Sequence, residues 1–148
     1  MLLTAMTCVL MSEPGLGPIT QLTFPDRFHK AGESYISPDG SKIIFQAVGA
    51  PPEGQDPSEH YDMYVADLVP GDDPAFALQH IRRLNTHGSA NTCGWFHPSD
   101  PGLVLYASTL GPPSDQDAPG YQRASGKYRW AFPQSMRIVT QRIDSPNA

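Results

Sequence analysis

Apolar and polar residues alternate with a period of two in several short runs of this chain. The alternating runs are short, and clusters of Pro, Gly, Asp and Ser separate them, which is the pattern of many short strands joined by turns. The runs ITQLTF (19–24) and GESYIS (32–37) read as strands, and KIIFQAV (42–48) is the strongest strand in the chain. Between the second and third, Pro38-Asp39-Gly40 supplies a tight turn, with Pro fixing φ and Gly admitting a positive φ. YDMYVADL (61–68) alternates again, placing Met63, Val65 and Asp67 on one face and Tyr64, Ala66 and Leu68 on the other. ALQHIRRL (77–84) has the propensity for a helical turn or two, but its place after a strand and before Asn85-Thr86 favours a strand. Residues 49–59 and 69–75 carry Pro and Gly without apolar period and read as loops.

The order of these pieces recurs. CGWFHPSDPGLVLYAS (93–108) repeats the grammar of ESYISPDGSKIIFQAV (33–48): an aromatic strand end, a Pro and Asp turn, a Gly, then an apolar strand. Pro98 stands 60 residues after Pro38. The preceding pieces echo as well, ITQLT (19–23) before the first and IRRLNT (81–86) before the second. After Ser108 a Pro- and Gly-rich stretch (109–135) reads as an inserted surface loop, and MRIVTQRID (136–144) then stands where DMYVADL stood in the first copy. Two copies of a four-part unit are therefore expected, the second incomplete.

These residues resemble the WD40-like PD40 repeats of the TolB family of β-propellers. The resemblance rests on ITQLTF, SPDGSKIIFQAV, DMYVADL, IRRLN and WFHPSDPGLVLYAS, and it covers about residues 19–108. RIVTQRID lacks the Tyr and the Ala-Asp-Leu of YVADL, so the resemblance is weak from 128 to 144. It implies an all-β fold of about two four-stranded antiparallel blades, a piece of a larger propeller, since a ring closes with about four to eight blades. It further implies a non-enzymatic scaffold that binds a protein partner in the periplasm or cell envelope, with a cytoplasmic setting as the alternative. A similar propeller also caps serine peptidases of the prolyl-oligopeptidase type, so the non-catalytic portion of such an enzyme is the second reading. On this basis residues 1–18 form an apolar start and linker, 19–108 the repeats, and 109–148 a loop insertion plus the last strand.

Composition fits this reading. The 148 residues include 16 Pro and 13 Gly, about 20% together and short of the disordered regime, and 39% are hydrophobic. The net charge of −5 and the scattered Lys and Arg residues offer no basic stripe, which argues against nucleic-acid binding. No run approaches the roughly 18 apolar residues of a membrane span. The apolar opening MLLTAMTCVLM (1–11) lacks a preceding Lys or Arg and a clean small-x-small site, so it reads either as a genuine or truncated export signal, or as a short amphipathic or misplaced start. Cys8 and Cys93 stand in different contexts and are expected as free, buried thiols.

Candidate chemistry is sparse. The five histidines (His29, His60, His80, His87 and His97) have no H-E-x-x-H or H-x-x-x-H spacing, and the cysteines no C-x-x-C spacing. No catalytic, cofactor-binding or metal-ligating residue is assigned. HGSAN (87–91) lacks the second Gly of a nucleophile elbow, so Ser89 reads as a turn serine. Asp56, Glu59 and Asp62 carry loop charge without the spacing of an EF-hand, and Asp39 and Asp100 are expected to fix their turns. Tyr35, Phe45, Trp95 and Phe96 read as core between blades. Tyr128, Trp130 and Phe132 in the long insertion are the candidate residues for partner contact, and exposed blade faces are a second route to association, between copies.

Overall fold

Seven strands and no helix make up the described part of the chain, residues 17, 19–71, 76–114 and 132–144 of a computed structural model. The strands are β1 (Phe28–Ile36), β2 (Lys42–Gly49), β3 (Asp62–Pro70), β4 (Phe76–Arg83), β5 (Asn91–His97), β6 (Asp100–Ser108) and β7 (Arg137–Arg142). They form two antiparallel sheets, β1-β2-β3-β4 and β5-β6-β7, in which every strand lies beside its neighbours in sequence. The segment 77–84 is a strand, as its context required: β4 gains a ladder of hydrogen bonds along β3 that isolated propensity cannot supply.

One expected strand is absent. Among the described residues no strand pairs with 19–24, which are irregular, and the carbonyl of Phe24 accepts the N–H groups of Arg27 and Phe28 in the turn that opens β1. β1 accordingly starts earlier than its alternation suggested, and the 19–24 segment lays Leu22 against the sheet.

The two sheets meet face to face. Ile44, Met63 and Val65 of the first pack against Phe96, Val104 and Tyr106 of the second, closed at one side by Ile143. Gly94 sits at the tightest point, where an added Cβ would lie 2.4 Å from Met63 Cε and 2.7 Å from Ile44 Cδ1. The opposite face of the first sheet carries a second apolar cluster, Phe28, Ile43, Phe45, Ala47 and Ala66, flanked by Leu22 and Tyr64. Alternation along β3 is as the sequence required, with Met63 and Val65 in one cluster and Tyr64 and Ala66 in the other.

The sheets also share a register. In the first, Tyr35 pairs with Ile44 and Ile44 with Val65; in the second, Trp95 pairs with Leu105 and Leu105 with Thr140. One row along, Ile36, Ile43 and Ala66 correspond to Phe96, Val104 and Gln141. Even the irregularities match, since Glu33 of β1 and Cys93 of β5 both take positive φ (40° and 56°) at register shifts. The row that faces the partner sheet is the Tyr35 row in the first sheet but the Phe96 row in the second. The sheets are therefore stacked in the same sense, front of one on back of the other, and the equivalents of the buried Ile44 and Met63, namely Leu105 and Ile138, point outward.

Candidate interaction surfaces

The SPDG turn is built as the sequence suggested. Asp39 Oδ1 accepts from Ser37 Oγ at 2.6 Å, from Ser41 Oγ at 2.9 Å and from the Ser41 N–H at 3.1 Å, while Gly40 takes φ 74°. These bonds, led by that from Ser37, hold the Asp39 carboxyl down at about 2. Ser37 Oγ in turn accepts the Lys42 N–H at 2.9 Å and so ties the turn to the start of β2. In the shorter second turn Asp100 Oδ1 accepts the Gly102 N–H at 3.0 Å, and its other oxygen pairs with Arg142 of β7. Both aspartates therefore shape backbone and are spoken for.

A cleft of about 280 Å³ opens between the sheets, lined by Lys42, Asp67, His80, Arg82, Ile143 and Asp144 among others. Its charges are satisfied within the chain. Asp67 bonds Lys42 Nζ at 2.6 Å and His80 Nδ1 at 2.7 Å, which lowers its pKa, the Lys42 bond contributing most. Arg82 donates to the Ile143 carbonyl at 2.6 Å, tying β4 to the end of the second sheet, and Asp144 pairs with Arg142. His80 reaches Asp67 because it occupies a bulge in β4 with φ 48°. The cleft is a joint between sheets rather than an open set of donors.

A polar network that alternation does not reveal lies where β4 passes to β5. Asn85 Oδ1 accepts the Met63 N–H at 2.7 Å, and its amide donates to Asp62 Oδ1, the Thr86 carbonyl and Ser89 Oγ. Ser89 is buried and donates to the Thr86 carbonyl, and Asn91 donates to the Tyr61 carbonyl at 3.0 Å. Ser89 is thus a turn serine with its hydroxyl engaged. Asp62 is held by Asn85 and lies 3.6 Å from Arg83, while Asp56 and Glu59 are exposed, so the acidic stretch does not converge. Among the described residues no three or more His, Cys, Asp or Glu side chains gather as metal ligands.

Of the aromatic residues expected in the core, Phe96 and Phe45 are buried, in different clusters, and Tyr35 is packed against the inter-sheet core. Trp95 departs from expectation: it is 51% exposed on the outward row of the second sheet, stacked on Tyr35 with ring centroids 4.2 Å apart. Cys93 is a free thiol, as expected, but only partly buried, with Sγ 3.7 Å from Glu33 Oε2; Cys8 lies outside the described residues. Of the partner-contact candidates, Phe132 is exposed near the start of β7, and Tyr128 and Trp130 lie outside the described residues.

Both outward sheet faces keep exposed apolar side chains, although on the first sheet Ile43, Phe45, Ala47 and Ala66 are already buried, with Leu22, Tyr64, Leu78 and Ile81 packed against them. Ile36 on the first is 59% exposed where its counterpart Phe96 is buried, and Trp95, Leu105 and Ile138 line the second. No helix among the described residues is long and apolar enough to cross a membrane. No family model, curated protein or solved structure matches the chain.

Proposed function

We propose that the chain is a repeat scaffold: two consecutive blades of a β-propeller-like stack, similar to the PD40 repeats of the TolB family, that binds a protein partner and catalyses no reaction. The same-sense stacking of the two sheets carries this reading. A self-contained sandwich turns its apolar faces inward, whereas here the first sheet bears a second apolar cluster on its outward side and the second sheet repeats the buried rows of the first on its own. Stacking without closure is what a repeat unit does. Binding then falls to the loops, chiefly the insertion with Tyr128, Trp130 and Phe132, and the family resemblance favours a cell-envelope setting.

A photo-crosslinking amino acid at Trp130 or Phe132, introduced in the native host, tests the reading. The expected result is one protein adduct, identified by mass spectrometry, whose purified form binds the chain at least tenfold more weakly when Tyr128, Trp130 and Phe132 are all alanine. Absence of an adduct would overturn partner binding at the insertion, and a continuous reading frame carrying a downstream G-x-S-x-G followed by Asp and His would replace the scaffold with the propeller of a serine peptidase.

A further inference from the structure

The chain's own sheet-to-sheet joint is a template for a second joint. We propose that the outward face of the second sheet binds the outward face of the first sheet in another copy of this chain, front to back, as the two sheets meet within one copy. This rests on the stacking that underlies the scaffold reading, but it concerns different surfaces from the insertion.

The match is residue by residue. Within the chain, Ile44 and Met63 press on Gly94. At the joint between copies, their counterparts Leu105 and Ile138 meet Ser34, the counterpart of Gly94 on β1. Ile is shorter than Met, which relieves the nearer of the contacts that exclude a side chain at Gly94, that of Met63 Cε at 2.4 Å, and favours the small Ser side chain at the equivalent place. Ile36 takes the place of the buried Phe96, and Trp95 meets the next copy's Tyr35 as it already meets its own. The contact falls on the β1 side of this face, at Ser34 and Ile36, because Leu22 already packs on the buried cluster that holds Ile43 and Phe45. Leu22 lies partly buried against that cluster as Leu84, beyond the end of β4, lies against the inter-sheet core.

Such a contact is heterologous, because two different patches meet, so each added copy presents the same pair of faces again. Growth therefore ends in a ring or continues as a filament, and the contact does not produce a two-fold dimer. Burial of Ile36 and Ile138 dominates it, since both are large, apolar and exposed in the isolated chain.

Sedimentation of the purified chain and of two variants, Ile36→Asp and Ile138→Asp, tests the proposal. The wild-type chain is expected to form species larger than a dimer. Each variant alone is expected to be monomeric, with association weakened by at least about tenfold. Mixed in equal amounts, the variants are expected to form a discrete 1:1 dimer, because each retains the face that the other lacks. A monomeric wild type, a symmetric wild-type dimer, or a mixture that stays monomeric overturns the proposal. Cooperative thermal unfolding checks that each variant is folded, and Ser34→Lys replaces Ile36→Asp if that variant does not fold. The crosslinking result at the insertion is independent of these outcomes, so either proposal can fail alone.

Discussion

Met63 and Ile138 hold the same place in their two sheets, yet Met63 is 0% exposed and Ile138 is 72% exposed. Met63 pairs with Gln46 beside the Phe45–Tyr64 pair, and Ile138 pairs with Ala107 beside the Tyr106–Val139 pair. The difference is whether another sheet lies in front.

That contrast predicts unequal responses to the same truncation. Met63→Ala should destabilise the chain by about 2–5 kcal/mol through lost burial and the cavity left between sheets. Ile138→Ala should stay within about 0.5 kcal/mol in the dilute, monomeric chain. Urea unfolding monitored by Trp fluorescence measures both, and equal losses would contradict the assignment of an outward face.

Gly94→Ala should be destabilising by about 1–3 kcal/mol, because its Cβ meets Ile44 as well as the flexible tip of Met63. Combined with Ile44→Val, which removes the Cδ1 atom at 2.7 Å, the loss should be smaller than the sum of the two single losses. A double-mutant cycle by chemical unfolding reads this coupling directly; strict additivity would mean that the sheets move apart without strain.

Asn85→Ala should cost about 1–3 kcal/mol, since it leaves the buried Met63 N–H without its acceptor and removes one of the two amide donors to Ser89 Oγ, that of Asn91 remaining. Asn85→Asp should not restore stability at neutral pH: it keeps an acceptor for Met63 but sets a carboxylate against that of Asp62. Hydrogen exchange at the Met63 amide, slow in the wild type and fast in Asn85→Ala, localises the effect.

The Asp39 carboxyl should titrate at about 2 in the folded chain, below its ordinary 3.8. A depressed carboxyl stabilises the fold above the unfolded pKa, and that contribution disappears as pH falls through the folded value. The turn should therefore loosen between about pH 4 and pH 2. Asp67, lowered by Lys42 and then His80, acts in the same direction. Carboxyl NMR titration checks Asp39, and Ser37→Ala should move its midpoint upward by removing the strongest bond.

Much of the fold was legible because pairing and alternation are local signals. The SPDG turn, the strand at 42–48 and the two faces of 61–68 follow from φ preferences and a period of two. Residues 19–24 alternate just as well, but a strand exists only with a partner, and partners are not written locally. Trp95 misled for the same reason: its row is buried in the first sheet and open in the second, a difference of position in the stack and not of residue type. The Asn85–Ser89–Asn91 network carries no periodic mark at all. Asn85, Ser89 and Asn91 look like ordinary loop residues until β3 is seen to run beneath them.

That network also sets a geometric quantity. Asn85 bonds β3 of the first sheet from the segment that leads into the second, so it clamps the angle at which one sheet follows the other. In any longer stack built from the same joint, that angle is repeated at every step. A few degrees more or less of it would decide curvature, and with it the number of sheets that complete a circle or the pitch of a fibre that never does.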